Sequence, residues 1–390
     1  MQSEVNLHVF VVLDDGRILR AGRLLSRNLI LARKGGYEGF FRYDPEYLAS
    51  AGGYPLDPRH LPLYQEVFRA MRPERGIHGV FEDSLPGAWG ERLLARKAGI
   101  HTGHYAPVHL LQALGGSGLG ALLYSEAEPP PRTVEDASLD FDVLAPALDE
   151  AVRYEKTLDP MELRFLISGG YSAGGARPKL LLKKGGDHFI AKFSSIHDRS
   201  QSVNVRLEAA GLELGKRAGL KVVDFQIAMV RRRPVLLVKR FDITSRGGRR
   251  ALISFRTLLA CFDDPGRISY GDLAEVVRRV SSAPADDLAT LFKQMVLNIS
   301  ILNTDDHLQN FSMLHDSRHG WRLSPAYDLV PNLNRDEQAL RVNGKHVGLA
   351  VADVIAEGTR FGFTRKKVSA WSIGFSKDFG IGRNASPIPA

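Results

Sequence analysis

The sequence predicts an α+β protein, with a β-rich unit at the N-terminus, a small mixed lobe in the middle and a helical C-terminal portion. Three observations carry this. Residues 7–13 (LHVFVVL) and 18–25 (ILRAGRLL) are β-rich runs separated by Asp14-Asp15-Gly16, a hairpin signal. Gly185-Gly186-Asp187 separates two further strand-like runs, one ending at Lys184 and one spanning HFIAKF. From about residue 250 the pattern turns helical, most clearly over 284–302, where Leu288, Leu291, Phe292, Met295, Ile299 and Leu302 share one face.

The chain has 390 residues, enough for a large core and more than one domain. With 44% hydrophobic and 25% charged residues it has the composition of an ordinary globular protein. No apolar run reaches about 18 residues, so no membrane association is expected. The opening MQSEVNLHVFVVLDDG lacks a basic n-region and reads as a strand rather than a signal peptide. The single cysteine, Cys261, lies in the apolar run TLLACF and reads as core, which fits a cytoplasmic location. The net charge of +8 is compatible with nucleic acid or an acidic partner without establishing either. Clusters such as Arg231–Arg233 read first as solvated surface.

Taken in order, residues 37–43 (YEGFFRY) add a third strand to the N-terminal unit. Pro86-Gly87 marks a turn, and Leu93, Leu94 and Ala98 then fall at helical spacing from Trp89. Residues 107–114 read as a second helix and 120–124 as a short strand. The Pro-rich, acidic stretch 126–140 has little to bury and is the linker candidate. The expected divisions are therefore 1–125, a linker at 126–140, a small lobe at 141–242 and a helical lobe at 243–390. Within the small lobe, 141–154 and 160–167 read as helices. Residues 202–218 form a helix containing Glu208, and FQIAMV and PVLLVKRFD flank the Arg231–Arg233 turn. The last 50 or so residues are expected to be partly helical, and GIGRNASPIPA to be frayed.

Chemistry concentrates in NTDDHLQN, which sets Asp305, Asp306, His307 and Asn310 after the apolar helix, with Asp328 following in LSPAYDL. An acid that orients a hydroxyl, followed by an amide and a second acid able to hold Mg²⁺, is what a phosphoryl-transfer site needs. A solvated turn also uses Asn and Asp, but the later arrival of Asp328 is unusual for a plain turn. Zinc is disfavoured because His307 has no second His or Cys at ligand spacing. The glycine-rich stretch 168–176 could bring backbone N–H groups to phosphates, although its spacing is not that of a P-loop and a surface loop is the ordinary reading. Lys192, in the alternating strand FIAKF, reads either as an outward lysine or as a phosphate partner positioned by an acid such as Glu208.

In this order, SAGGARPK, FIAKF, LVKRFD, NTDDHLQNF and WRLSPAYDL resemble the motifs of the HipA family of serine/threonine kinases, the toxins of bacterial type II toxin–antitoxin pairs. DSLPGAWGERLL and GALLY are similar to the family's N-terminal region, so the resemblance covers roughly residues 7–350. It implies a two-lobed, protein-kinase-like fold that uses ATP and Mg²⁺. Matched residue by residue, it implies that Gly174, Gly175, Ala176, Arg177, Pro178 and Lys179 form the phosphate loop and that Lys192 is the ATP-binding lysine. Lys239, Arg240 and Phe241 would be the hinge at the adenine, with Lys239 standing where the family often has an acid. Asp305 would be the catalytic acid, and His307, Leu308, Gln309 and Asn310 the nucleotide and metal segment. Tyr327 and Asp328 would complete it, with Asn310 and Asp328 as metal ligands. Ser172 corresponds to the serine that the family autophosphorylates, and Ser168 is a nearby competing acceptor.

The function implied is that of a growth-arresting protein kinase, neutralised by a small HipB-like DNA-binding antitoxin and reaching operator DNA through it. Aminoacyl-tRNA synthetases are candidate substrates. The alternatives are a kinase-dead co-repressor, against which the intact Lys192, Asp305, Asn310 and Asp328 argue, and a small-molecule phosphotransferase. Asp305 is expected to be indispensable, and Asp306 to be structural and the more tolerant of the two.

Overall fold

The computed structural model describes residues 4–28, 36–72, 75–100, 106–131, 139–157, 165–166, 179–196, 203–332 and 334–369. They fall into two compact units. The first comprises Met1–Arg206, Asp224–Ala260 and Leu314–Gly320; the second comprises Leu207–Val223, Cys261–Met313 and Trp321–Ala390.

The first unit contains two five-stranded sheets. One has the order β4-β3-β2-β1-β5, from β1 (Glu4–Val12), β2 (Ile18–Asn28), β3 (Tyr37–Tyr43), β4 (Phe68–Arg69) and β5 (Leu122–Ser125). The Asp14-Asp15-Gly16 turn closes β1 on β2 as the sequence predicts, with Gly16 at φ 90, where only glycine is unstrained. Interior strand β1 buries Val5, Leu7, Val9 and Val11 on one face and, after a bulge at Val9/Phe10, Phe10 and Val12 on the other. Four helices accompany this sheet, α1 (Pro45–Ala49), α2 (Gly79–Glu82), α3 (Ala88–Lys97) and α4 (Pro107–Leu114), the last lying against β1 and β5.

The other sheet has the order β6-β7-β8-β10-β9, from β6 (Leu139–Asp140), β7 (Lys179–Lys184), β8 (Asp187–Lys192), β9 (Phe225–Val230) and β10 (Arg233–Lys239). Helix α5 (Leu144–Thr157) follows β6. The β7–β8 connection is a two-residue turn with positive φ at both Gly185 and Gly186, the geometry a tight hairpin demands. Arg231 and Arg232 make the same kind of turn between β9 and β10, at φ 46 and 67. Asp242 links the two sheets inside this unit. Its carboxylate accepts from Gly120 N at 2.8 Å and from the buried Arg240 guanidinium at 2.6 and 3.0 Å. Burial would raise the Asp242 pKa, but the Arg240 charge and these hydrogen bonds hold it below the usual value.

The second unit contains most of α6 (Val203–Arg217), from Leu207 onward. Short α7 (Phe255–Leu258) belongs to the first unit, and the second continues with α8 (Tyr270–Val280), α9 (Pro284–Ser300) and α10 (Val351–Arg360). Helix α8 packs on both α9 and α10. The α8 N-terminus is closed by a capping box, with Asp272 Oδ2 accepting from Ser269 N at 2.8 Å. Strands β11 (Ala251–Ser254), β12 (Ser312–Asp316) and β13 (Gly320–Leu323) complete the elements. Leu288, Leu291, Phe292 and Met295 are buried on α9 as the periodicity predicts. Ile299 is only partly buried and Leu302 is exposed, because the helix ends before the expected face does.

Two close approaches fix α6 in this unit. A Cβ on Gly211 would sit 2.0 Å from Leu329 O, and one on Gly215 would sit 2.8 Å from a Val222 methyl. The helix backbone therefore touches the segment that carries Asp328, which no side chain at position 211 would allow.

At the centre lies Asp306, with no exposed surface. Its Oδ2 accepts from the Tyr270 hydroxyl at 2.5 Å, and its Oδ1 accepts from Ala339 N at 2.7 Å and Leu340 N at 3.4 Å. Tyr270 in turn accepts from Asn298 Nδ2 at 2.9 Å. One carboxylate thus joins the start of α8, the end of α9 and the 339–340 segment. This gives Asp306 a structural role, since truncation leaves three polar groups, the Tyr270 hydroxyl and the Ala339 and Leu340 N–H groups, short of a partner. Burial pushes its pKa up to about 6 despite these hydrogen bonds.

An aspartate whose folded pKa lies above its unfolded one favours the folded state most when protonated. Its contribution is full below the unfolded value, near 3.8, and is lost as pH rises through about 6. Asp306→Asn removes that term. In denaturant titrations, the wild-type advantage over Asp306→Asn should shrink by up to about 3 kcal/mol between pH 4 and pH 7. A difference that stays constant over this range contradicts the assignment.

Candidate functional site

The candidate site in the second unit begins where α9 stops. Asn303 N donates to Asn298 O at 2.8 Å and Leu302 N donates to Ile299 O at 3.3 Å, with Leu302 at φ 53. This is the Schellman ending of a helix, with leucine where glycine is usual. A left-handed leucine costs roughly 1–2 kcal/mol, so the abrupt stop is maintained by its surroundings. It releases the chain into the extended stretch that carries the two carboxylates.

Neighbouring side chains of an extended backbone point to opposite sides. Asp306 therefore goes into the core and Asp305 goes out, with 82% of its side chain exposed. His307 caps the short turn at Leu308–Asn310, its Nδ1 accepting from Gln309 N at 3.3 Å. That bond places the proton of a neutral ring on Nε2, which lies 3.9 Å from Asp305 Oδ1. Leu308 is buried, so only its main chain is available to a ligand. Asn310 donates from Nδ2 to Asp305 O at 2.6 Å, which locks the acid's main chain to the amide. Asn310 Oδ1 accepts no hydrogen bond among the described residues.

Asp328 comes not from a strand, as its apolar approach suggests, but from irregular chain beyond β13. Ala326 makes an isolated bridge to Val222, and Asp328 itself is left-handed at φ 55. Aspartate tolerates this conformation better than most residues, and such backbone is concentrated at functional sites. Three contacts tie this segment to the Asp305 turn. The Tyr327 hydroxyl donates to Gln309 O at 2.9 Å and meets Ser312 Oγ at 2.6 Å. Asn303 Nδ2 reaches Asp328 O at 3.4 Å and Asn298 Oδ1 at 3.1 Å. Asn332 donates from its N to Leu302 O at 2.8 Å and from Nδ2 to Thr304 Oγ1 at 3.0 Å. The fold thus brings Asp305, His307, Gln309, Asn310 and Tyr327 together with the segment of Asp328.

Mg²⁺ takes hard oxygen ligands, few of them from protein when phosphates supply the rest. An Asn310 amide oxygen with no competing donor, and a carboxylate at Asp328, fit that ion.

The first unit holds the other residues singled out. Lys179 and Lys192 are direct cross-strand partners in the β7–β8 hairpin, so both lie on one face of the sheet. Leu181 and Ile190, the next pair on that face, pack together beside them. Lys239 pairs with Asp187 at 2.7 Å. The N–H groups of Lys239 and Arg240 are engaged by Asp224 O and His188 O, both at 2.8 Å, and the Arg240 guanidinium is buried on Asp242. Hinge contacts at this stretch would therefore fall to carbonyl oxygens and to the partly exposed Phe241. Gly174, Gly175, Ala176, Arg177, Pro178, Ser172 and Ser168 lie outside the described residues. Glu208 is buried on α6 in the second unit.

The sequence assigns no role to Asn298, Asn303 or Asn332, although Asn303 opens NTDDHLQN. The signal available was Asn298, an amide in the most apolar turn of α9.

The chain is similar to known proteins over most of its length. Residues 171–372 match the HipA-like C-terminal domain and residues 28–125 match the HipA N-terminal domain. Y4mE of Sinorhizobium fredii, named as a candidate kinase, is 29% identical over 350 residues, which span 80% of this chain and 77% of that protein. Among solved structures, the HipA, HipB and operator DNA complex of the Shewanella oneidensis toxin–antitoxin system contains a chain that matches with a TM-score of 0.68 at 18% identity. That match covers 95% of this chain and 88% of the other. The fold is therefore the two-lobed, kinase-like α+β fold expected, and with more than half of its length matched by the HipA C-terminal domain, the chain belongs to the HipA family.

Proposed function

We propose that this protein is an ATP- and Mg²⁺-dependent serine/threonine protein kinase, acting as the toxin of a toxin–antitoxin pair. The observation that carries the reading is the division of labour at Asp305–Asn310. One carboxylate is presented to solvent, its neighbour is sunk in the core to hold the turn, and an amide is locked on the acid's main chain with its oxygen left available.

In this reading Asp305 orients the acceptor hydroxyl and takes its proton as the new oxygen–phosphorus bond forms. The bond from the γ-phosphorus to the β–γ bridging oxygen breaks, and ADP leaves. His307 Nε2–H faces Asp305 and steadies its charge. Asn310 and Asp328 would hold Mg²⁺, which would supply neutralisation of the triphosphate. Lys192 and Lys179 contribute charge for the phosphates, joined by the loop from Gly174 to Pro178. The adenine meets the main chain around Lys239–Phe241, and the apolar face at Leu181 and Ile190 suits a base.

The family membership and the fold shared with the Shewanella complex support a small HipB-like antitoxin as partner, with operator DNA reached through it. An aminoacyl-tRNA synthetase is the proposed class of protein substrate. Phosphorylation of Ser172 would add about −1.5 to −2 charges beside the triphosphate and act as an off-switch.

Asp305→Asn should lower kcat by roughly 10² to 10⁴-fold while ATP affinity stays within about twofold. Turnover near the wild-type rate would remove Asp305 from the reaction. Asp328→Ala should abolish the Mg²⁺ dependence of ATP binding measured by calorimetry, and an unaltered Mg²⁺ titration contradicts the metal role. After incubation with ATP and Mg²⁺, peptide mapping should find phosphate on Ser172 with activity falling in step. Phosphate confined to Ser168, or full activity at stoichiometric Ser172 phosphorylation, contradicts the switch.

A further inference from the structure

We propose that Asn332 and Asn303 form a clamp that sets the position of Asp328 against Asp305, making them positioning residues for phosphoryl transfer. The inference rests on the reading of Asp305 and Asp328 given above. Asp305 sits in a turn that follows a strained helix ending at Leu302, and Asp328 sits in irregular, left-handed backbone. Neither segment is part of a strand ladder that would fix its register, so their relative position depends on a few individual bonds, one of them main chain and the others from side chains.

Asn332 bridges twice from one residue. Its N–H donates to Leu302 O at 2.8 Å, and its Nδ2 donates to Thr304 Oγ1 at 3.0 Å. The first bond engages the carbonyl of the left-handed leucine, and the second lands one residue before Asp305. Asn303 works from the opposite strand of the clamp. Its amide Nδ2 is shared between Asn298 Oδ1 at 3.1 Å and Asp328 O at 3.4 Å, and its side chain is 2% exposed. The carbonyl of Asp328 is thereby referred back through Asn303 and Asn298 to the hydroxyl of Tyr270 and to the Asp306 carboxylate. Asp305 and Asp328 are thus attached to one hydrogen-bonded frame, although 22 residues of chain lie between them.

Misplacement of a catalytic group by about 1 Å can cost on the order of 10²-fold in rate. Loss of one clamp bond should therefore act on the chemistry and on metal-assisted binding more than on folding. The Asn332 to Thr304 bond is the part to remove, because both side chains lie at the margin of the core whereas Asn303 is inside it.

The experiment compares full-length wild type, Asn332→Ala, Thr304→Ala and the double variant by three measurements. Hydrogen exchange on the nucleotide-free protein reports the clamp itself. Calorimetric titration of ADP with and without Mg²⁺ reports the site. Thermal unfolding reports global stability. The clamp predicts faster exchange at both 302–306 and 326–332 in each single variant, with the double variant no faster than the singles. It also predicts roughly tenfold weaker Mg²⁺-assisted ADP binding, metal-free ADP binding within about twofold of wild type, and a nearly unchanged unfolding midpoint. Unchanged exchange in Asn332→Ala overturns the clamp. Faster exchange with unaltered Mg²⁺-assisted binding overturns its positioning role. So does a uniform loss of both binding modes with a lowered midpoint, which is what a purely structural residue would give. If wild type itself shows no Mg²⁺-assisted ADP binding, the nucleotide reading and the positioning role fall together, and the exchange data still decide whether the clamp exists.

Discussion

The helical unit is arranged around a carboxylate that has been taken out of water and bonded only to neutral donors. Leaving Asp306 charged in the core costs free energy, and the Tyr270 hydroxyl and two backbone N–H groups offset only part of it, as its raised pKa records. What the arrangement secures is direction. With Asp306 anchored inward, the alternation of an extended chain presents Asp305 to solvent, and Asn310 then locks the acid's carbonyl. An exposed acid on a free loop would sample many positions, whereas this one is held from both sides.

The same economy governs Asp328. Its left-handed backbone is held by two neighbours, Asn303 at its carbonyl and the glycine surface of α6 at Leu329. Gly211 and Gly215 look unremarkable within an amphipathic helix, yet Gly211 allows the helix to meet the Leu329 main chain and Gly215 leaves room for the Val222 and Leu329 side chains. In the first unit, the buried Arg240–Asp242 pair joins the two sheets, so a residue matched to a nucleotide hinge also maintains the lobe that carries it.

Much of this was legible in the sequence wherever local chemistry decides structure. Gly185-Gly186 specifies its turn through backbone freedom, and Asp14-Asp15-Gly16 adds to the freedom of Gly16 an Asp15 carboxylate that accepts from Arg17 N. The apolar periodicity of 284–302 and the density of functional groups in NTDDHLQN pointed to a helix delivering a reactive turn. What could not be read depends on distant partners. Leu302 belongs to the apolar face by spacing, but it leaves that face because the helix terminates in a left-handed residue. The run before Asp328 has strand composition, but after Leu323 it forms no strand among the described residues and makes an isolated bridge to Val222. Asn298, Asn303 and Asn332 are informative only once their hydrogen-bond partners, up to 30 residues away in the chain, are known. The phosphate-loop residues from Gly174 to Pro178 remain matched by motif alone.

The central claim is that the Asp305 turn and the Asp328 segment together make a metal-nucleotide site. A crystal structure of the protein grown with Mn²⁺ and a non-hydrolysable ATP analogue tests it most directly, because anomalous scattering locates the metal independently of the refined chain. The account predicts one metal peak at bonding distance from Asn310 Oδ1 and the Asp328 carboxylate, with Asp305 near the terminal phosphate and Asp306 unchanged in the core. A metal bound through Asp305 and Asp306, or a nucleotide seated away from both segments, would contradict it.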